Sequence, residues 1–396
     1  MRQVTDAERR VRLGVRHSLA PSARVDSADA AAAAVVALHA TEAASVYLSC
    51  WARMKSVCVA DIDRALYEDR SLIKQLAMRR TLFAFPRDLL PAVWSSASAR
   101  VADIERTRII RGVERAGLAA DGQAWLQRAR TDVLAALADI PSGRTAQEIR
   151  QAVPRIDVPV ALVAGSTRAA TAVLTQLGAA GEIVRGANVG HWRTSRPLLT
   201  LMHHWIVDLG EPTSAEEGYR ELVRRWLYRF GPGTVEDMVW WLGSTKATVR
   251  KALIALEAVE VALCGGSIGW LLPDDLDKLD DPGTWVALLP VLDPTVMGWR
   301  HREFYLGPHR SQLFDTRGNA GATAWVDGRV VGGWVQDESG EVHVRLLEPV
   351  ARRAQRALGA EAARLTSWLA GVRIGANVQA PVATEPSIRQ QHPGKQ

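Results

Sequence analysis

The stretch ALHATEAASVYLSCWARM, residues 37–54, sets His39 and Thr41 two positions apart in an otherwise apolar run. A neutral imidazole can accept a proton from water, and a nearby hydroxyl can hold that water in line. Carboxylates follow at Glu42, Asp61 and Asp63. Such a set can direct water onto a sugar carbon that develops positive charge. A structural reading fits the same residues. His39 would sit on the last carbonyls of one helix, and Thr41 would cap the next, from Glu42 to Met54.

Other chemistries find little footing. The sequence has no HExxH, no paired CxxC, no EF-hand loop, no P-loop, no GxGxxG turn and no GxSxG elbow. His203 and His204 are adjacent, so on a helix they point about 100° apart and do not share one ion. Cys50, Cys58 and Cys264 have no metal-ligand spacing and leave an odd number, which fits a reducing cytoplasm. No metal or cofactor is therefore expected.

The elements around these residues read as one unit repeated. In GPGTVEDMVWWLGSTKATVRKALIALEAVEVALCGGSIGWLL (231–272), Thr234 caps a short helix with Glu236 and Asp237 in its first turn. Val249, Leu253 and Leu256 mark a second helix, and VEVALC and SIGWLL read as strands joined by Gly265-Gly266. Helix, turn, helix and two-stranded wing make a winged helix. The order recurs at 123–201: a helix from Gln123 to Ala138, a capping box at Thr145–Glu148, a helix in STRAATAVLTQLGAAG, and strands in GEIVRG and RPLLTLM. It recurs more loosely at the N-terminus, with helices near 27–38 and 42–54 and a strand-like MRRTLFAFP (78–86).

After Asp280, TWVALLPVLDP, REFYLG, SQLFD, ATAWVDGRVVGGWVQ and GEVHVRLLEP read as short strands of a small barrel or curled sheet, with hairpin tips at Asp327-Gly328 and Ser339-Gly340. A helix near 350–370 follows. The fold expected is α+β: winged-helix units at 1–118, 119–210 and 211–280, a β-barrel-like domain at 281–372, and a disordered tail at 373–396 with little to bury.

The 396 residues are 47% hydrophobic, with no signal-like N-terminus and no apolar run near the roughly 18 residues of a membrane helix. Net charge is +6, and only six of the 49 basic residues are lysine. Arginine is the better bidentate phosphate ligand, although a GC-rich genome gives the same bias. Arginines crowd at 100–115, 183–196, 219–229 and 298–304, either as solvated helix faces or as a basic surface for a nucleic acid.

YRFGPGTVEDMVWWLGSTKATVRKAL, LPVLDPTVMGWRHREFYL and LFDTRGNAGATAWVDGRVVGGW resemble the AlkZ/YcaQ superfamily of winged-helix DNA glycosylases, over residues from about 10 to 370. The resemblance implies excision of bulky N7- or N3-alkylated purines from DNA, in some members with crosslink unhooking or removal of the adducts of self-made antibiotics. The superfamily's Gln-x-Gln motif falls on His39-Ala40-Thr41, so both glutamines are replaced. It implies catalytic roles for His39 as base or water ligand, Thr41 as its partner and Glu42 as charge stabiliser. Arg79, Arg80, Arg193, Arg196, Arg300 and Arg302 are the expected DNA contacts of a monomeric enzyme. The alternative is a non-catalytic winged-helix regulator, for which the chain shows no long dimerisation helix.

Overall fold

The computed structural model describes residues 1–162, 165–208, 210–211, 213–375, 378 and 380–384. A short strand, β1 (Arg2–Val4), leads into helix α1 (Asp6–Arg16), where Thr5 Oγ1 accepts from the Glu8 amide at 3.2 Å. The alanine run forms α2 (Ala28–Ala33) behind a Ser27 cap. This helix ends well before residue 38. The β-branched Val35 and Val36 stop it, Val36 takes a φ of 65°, and the chain turns into β2 (Leu38–His39). Glu42, not Thr41, occupies the N-cap position of α3 (Ala43–Arg53), which has no side-chain cap.

The expected strand 78–86 forms only from Thr81, and a second strand precedes it. β3 (Leu72–Ala77) and β4 (Thr81–Pro86) form a hairpin whose tip is Met78–Arg80, with Arg79 and Arg80 at φ values of 55° and 60°. Sheet order is β2–β4–β3, antiparallel throughout, with His39 opposite Phe83 and Phe83 opposite Gln75. His39 therefore lies in an edge strand rather than at a helix end.

The next segment comprises α4 (Ala99–Arg115), α5 (Gly122–Ala138) and α6 (Ala146–Ala152), the last opened by the expected Thr145–Glu148 capping box. The hairpin β5 (Pro159–Leu162) and β6 (Gly165–Arg168) follows, then α7 (Ala169–Ala179) and the hairpin β7 (Ile183–Asn188) and β8 (Pro197–Leu201). Trp125, Val133, Ile149 and Val173 belong to a hydrophobic cluster of its own, apart from the main core.

Helices α8 (Ala215–Phe230), α9 (Val235–Leu242) and α10 (Lys246–Ala255) precede the hairpin β9 (Val259–Leu263) and β10 (Ile268–Leu271), close to the expected positions. β1 adds to this hairpin from the far end of the chain, running parallel to β9 with Arg2 opposite Val261. Arg12 and Arg16 of α1 reinforce the junction by converging on buried Asp275.

The C-terminal sheet has the antiparallel order β11 (Val286–Leu289), β12 (Thr323–Val326), β13 (Arg329–Gln336) and β14 (Val342–Leu346). Helix α11 (Arg352–Leu369) packs against β11 and β14. REFYLG and SQLFD are short helices, Glu303–Leu306 and Arg310–Leu313, instead of strands. Phe304, Tyr305 and Leu306 are buried consecutively, which a strand with one solvated face does not allow. Part of the expected disordered tail is also ordered: Val378, Ala380 and Val382 are buried, and a short helix at 381–384 contacts β13. Three small apolar residues give this segment enough to bury; residues 385–396 lie outside the described part. No helix among the described residues is long and apolar enough to cross a membrane.

One buried ion pair fastens α3 to the segment after β11. Arg53 and Asp293 are both fully buried, with Nη1–Oδ2 at 2.9 Å and Nη2–Oδ1 at 2.7 Å. Asp293 also accepts from Ser49 Oγ at 2.7 Å and from the Thr295 amide at 2.9 Å. Removing one partner leaves an uncompensated buried charge. Asp293→Ala should therefore lower the unfolding free energy by roughly 3–5 kcal/mol in urea denaturation; a loss below about 1 kcal/mol would show that water reaches Arg53 freely.

Candidate active site

His39 projects from β2 on the face that holds Phe83, whose ring centroid is 5.4 Å away in an edge-on arrangement. It is 8% exposed, and its Nδ1 is buried without a hydrogen-bond partner among the described residues. Burial and, next, the field of Arg79 lower its pKa to about 3, while Asp293 pulls in the opposite direction. The imidazole is neutral at physiological pH. It can accept a hydrogen bond from water, yet it is a weak resting place for a proton.

Arg79 comes from the hairpin tip beside His39. Its guanidinium carbon is 3.9 Å from the Trp240 ring centroid, and that of Arg302 is 4.7 Å from the same ring. Both cations lose basicity, Arg79 to about 10, chiefly by burial and then through the field of Arg302. Arg79 Nε and Arg302 Nε and Nη2 are buried without hydrogen-bond partners among the described residues. Two arginines thus flank one indole, and neither has a full set of acceptors among the described residues.

The structure brings His39, Arg79 and Arg302 into one neighbourhood, and places the other expected residues elsewhere. Thr41 is exposed in the β2–α3 turn, and its hydroxyl caps nothing. Glu42 is half-buried and lines a cavity of about 310 Å³ with Trp334, Gln336 and Arg373. Arg80 is tied to buried Glu105 at 2.8 Å. Arg193 lies on the β7–β8 tip and donates to the Arg373 carbonyl; the same tip packs Trp192 against Tyr47 and Trp368. Arg196 lines a different groove, and exposed Arg300 meets Asp237 through its backbone amide, at 2.9 Å.

The carboxylates that follow the motif in sequence are engaged locally. Asp61 accepts from the Cys58 amide at 2.8 Å, and Asp63 from the Tyr47 hydroxyl at 2.5 Å. Asp293 and Trp240, which sequence reasoning missed, lie nearer: Asp293 acts on His39, and Trp240 carries Arg79 over its ring. The signal for Asp293 was the acid of LPVLDPT, directly after an apolar strand, where a buried charge needs a partner. Among the described residues one group could ligate a metal, Asp337, Glu341 and His343, all exposed at a hairpin tip. Its Asp337 already accepts from Ser339 and from His343 Nε2, as a turn of this kind requires.

The depressed His39 pKa has a defined consequence for stability. Below about pH 6.5 the unfolded chain takes up a proton on this histidine that the folded chain refuses until near pH 3. His39 therefore opposes folding increasingly as pH falls through that window. The stability of the protein relative to His39→Ala should drop between pH 7 and pH 4, measured by denaturant titration at each pH. A gap that stays constant would show that the imidazole protonates in the folded state.

Comparison with known proteins bears on the whole chain. A profile of the family described as DNA glycosylase AlkZ-like matches residues 32–368. Streptomyces sahachiroi DNA glycosylase AlkZ superposes with a TM-score of 0.74 at 21% identity, covering 92% of this chain and 97% of that one. No curated protein sequence matches the chain. With the family profile spanning most of its length, the chain belongs to the AlkZ-like DNA glycosylases.

Proposed function

We propose that this glycosylase hydrolyses the N-glycosidic bond of bulky N7- or N3-alkylated purines in double-stranded DNA, with His39 holding the attacking water. The observation that carries the proposal is His39 itself: a neutral imidazole with an unpartnered Nδ1, beside arginines that lack a full set of acceptors. N7-alkylguanine already bears positive charge, so its base departs without an acid. What remains for the protein is to place water and to tolerate an oxocarbenium-like sugar. His39 accepts from the water, Thr41 supplies a second hydrogen bond at the rim, and Glu42 offsets the developing charge. Arg79 and Arg302 take a backbone phosphate near the lesion; Arg80, Arg193 and Arg300 extend the contact along the duplex, and Arg196 meets DNA from a separate groove.

In this reading three winged-helix units, at 1–118, 119–210 and 211–280, and a barrel-like domain at 281–372 form the DNA-binding body of a cytoplasmic monomer. Substrates include the adducts of a self-made antibiotic or an interstrand crosslink, which base release from DNA treated with a panel of alkylators distinguishes. Family membership disfavours a non-catalytic regulator. A dimer that binds one palindrome and releases no base would restore it.

Single-turnover base release tests the roles. His39→Ala should lower the rate by about 10²–10⁴ and leave affinity for undamaged duplex unchanged, whereas His39→Gln keeps an acceptor and should retain part of it. Because Thr41 is exposed and caps no helix, Thr41→Ala should change stability by no more than about 0.5 kcal/mol. Any loss of rate in that variant then reports on chemistry. Excision by His39→Ala at the unmodified rate on every adduct would remove His39 from the mechanism.

A further inference from the structure

The sheet that carries His39 has a second working face. Alternation along the ladder puts His39, Phe83 and Gln75 on one side and Leu38, Lys74, Leu76, Leu82 and Ala84 on the other. On the second side, β7, β8, α6 and α7 close over a groove of about 640 Å³. Lys74, Arg150, Arg185 and Arg196 line it, and no carboxylate does so among the described residues.

These cations are poorly matched by the protein. Arg185 and Arg196 are exposed at the mouth of the groove, and their side chains make no hydrogen bond or ion pair among the described residues. Arg150 reaches Asp157 only at 3.5 Å. Lys74 has a neutral partner: its Nζ donates to the Tyr67 hydroxyl at 2.6 Å and lies 4.8 Å from that ring's centroid. Burial first, and then the charge of Arg185, bring the Lys74 amine down to about 8, against a smaller opposing pull from Asp63. Asp63 is itself occupied by the Tyr47 hydroxyl. Lys74, Arg185 and Arg196 have no ion-pair partner among the described residues, so their charges repel one another in the recess, and an anion relieves that repulsion.

The rest of the lining is apolar: Leu76, Leu82, Leu174, Val184 and Val189. A bare phosphate would leave these walls wetted, and an uncharged base would leave the cations unmatched. We propose that the groove binds a single nucleotide, its phosphate between Lys74, Arg185 and Arg196 and its base against Leu76, Leu82 and Val184. The volume lies within the range of pockets that hold small ligands. The nucleotide comes either from a DNA strand, unstacked or at an end, or from free mononucleotide. The groove is separate from the His39 face, and its occupancy is read without excision.

Differential labelling tests this on the full-length protein. Lysines are acylated at pH 8 with and without short oligothymidylate, thymidine monophosphate, thymidine or inorganic phosphate, and each site is quantified by mass spectrometry. Oligothymidylate or the mononucleotide should protect Lys74 severalfold and leave exposed Lys278 unaffected; protection by oligothymidylate alone assigns the nucleotide to a strand. Arg185→Gln should abolish the protection and reduce the salt slope of oligothymidylate binding by about 0.7. Lys74→Met should weaken that binding about tenfold. Lack of protection by any ligand, protection by phosphate equal to that by the mononucleotide, or unchanged binding in both variants would overturn the proposal.

Discussion

A fully buried ion pair, Arg53 with Asp293, joins the helix after His39 to the C-terminal half of the chain. Their pair ties α3 to the segment after β11, and its hydrogen bonds run further. Arg53 Nη2 donates to Thr295 Oγ1 at 2.8 Å, and Thr295 Oγ1 lies 2.9 Å from His17 Nδ1. His17 Nε2 is 3.1 Å from the Arg229 carbonyl. A carbonyl only accepts, so Nε2 carries the proton and Nδ1 accepts from the threonine hydroxyl. His17 is fully buried, and burial followed by the charges of Arg53 and Arg229 keeps it neutral. One polar chain thus joins α3, the end of α1, the end of α8 and the C-terminal sheet region.

That arrangement bears on chemistry because α3 follows β2 directly. Ser45 of α3 also donates to the Val291 carbonyl at 2.8 Å, so the β2–α3 turn is fixed against the C-terminal region at its first helical turn as well as its last. Asp293 then serves twice: it neutralises Arg53 and it is the anion that His39 senses. Arg79 acts on the same imidazole with the opposite sign and prevails over it. The site is accordingly built for a neutral histidine, unlike one in which a carboxylate raises imidazole basicity.

Sequence reasoning reached the elements whose signals are local. The capping box at Thr145–Glu148, the helix cap at Thr234, the β9–β10 hairpin, the tip at Asp327-Gly328 and the long C-terminal helix all formed close to the positions expected. It missed what depends on distant partners. β2 is two residues long and exists because β4 pairs with it, so an alanine-rich approach reads as helix until the partner is known. The pairing of β1 with β9 spans most of the chain and leaves no local mark. Within the candidate site, position 39 stood out as a polar break in an apolar run, and the structure buries it beside Phe83 and Arg79. The helix-cap role for Thr41 was not correct, because the strand at 38–39 leaves Glu42 to begin the helix. Asp293 was invisible as a neighbour of His39 since the two are brought together only by tertiary packing.

His39 is proposed to act as a neutral acceptor throughout the physiological range. The pH dependence of single-turnover base release from N7-alkylated DNA tests it most directly, measured with the lesion bound at saturation. The rate should be flat from about pH 5 to pH 8, because an imidazole with a pKa near 3 does not titrate there. A rate that falls tenfold per unit below an apparent pKa of about 6.5 would show an ordinary titrating histidine, and would contradict it.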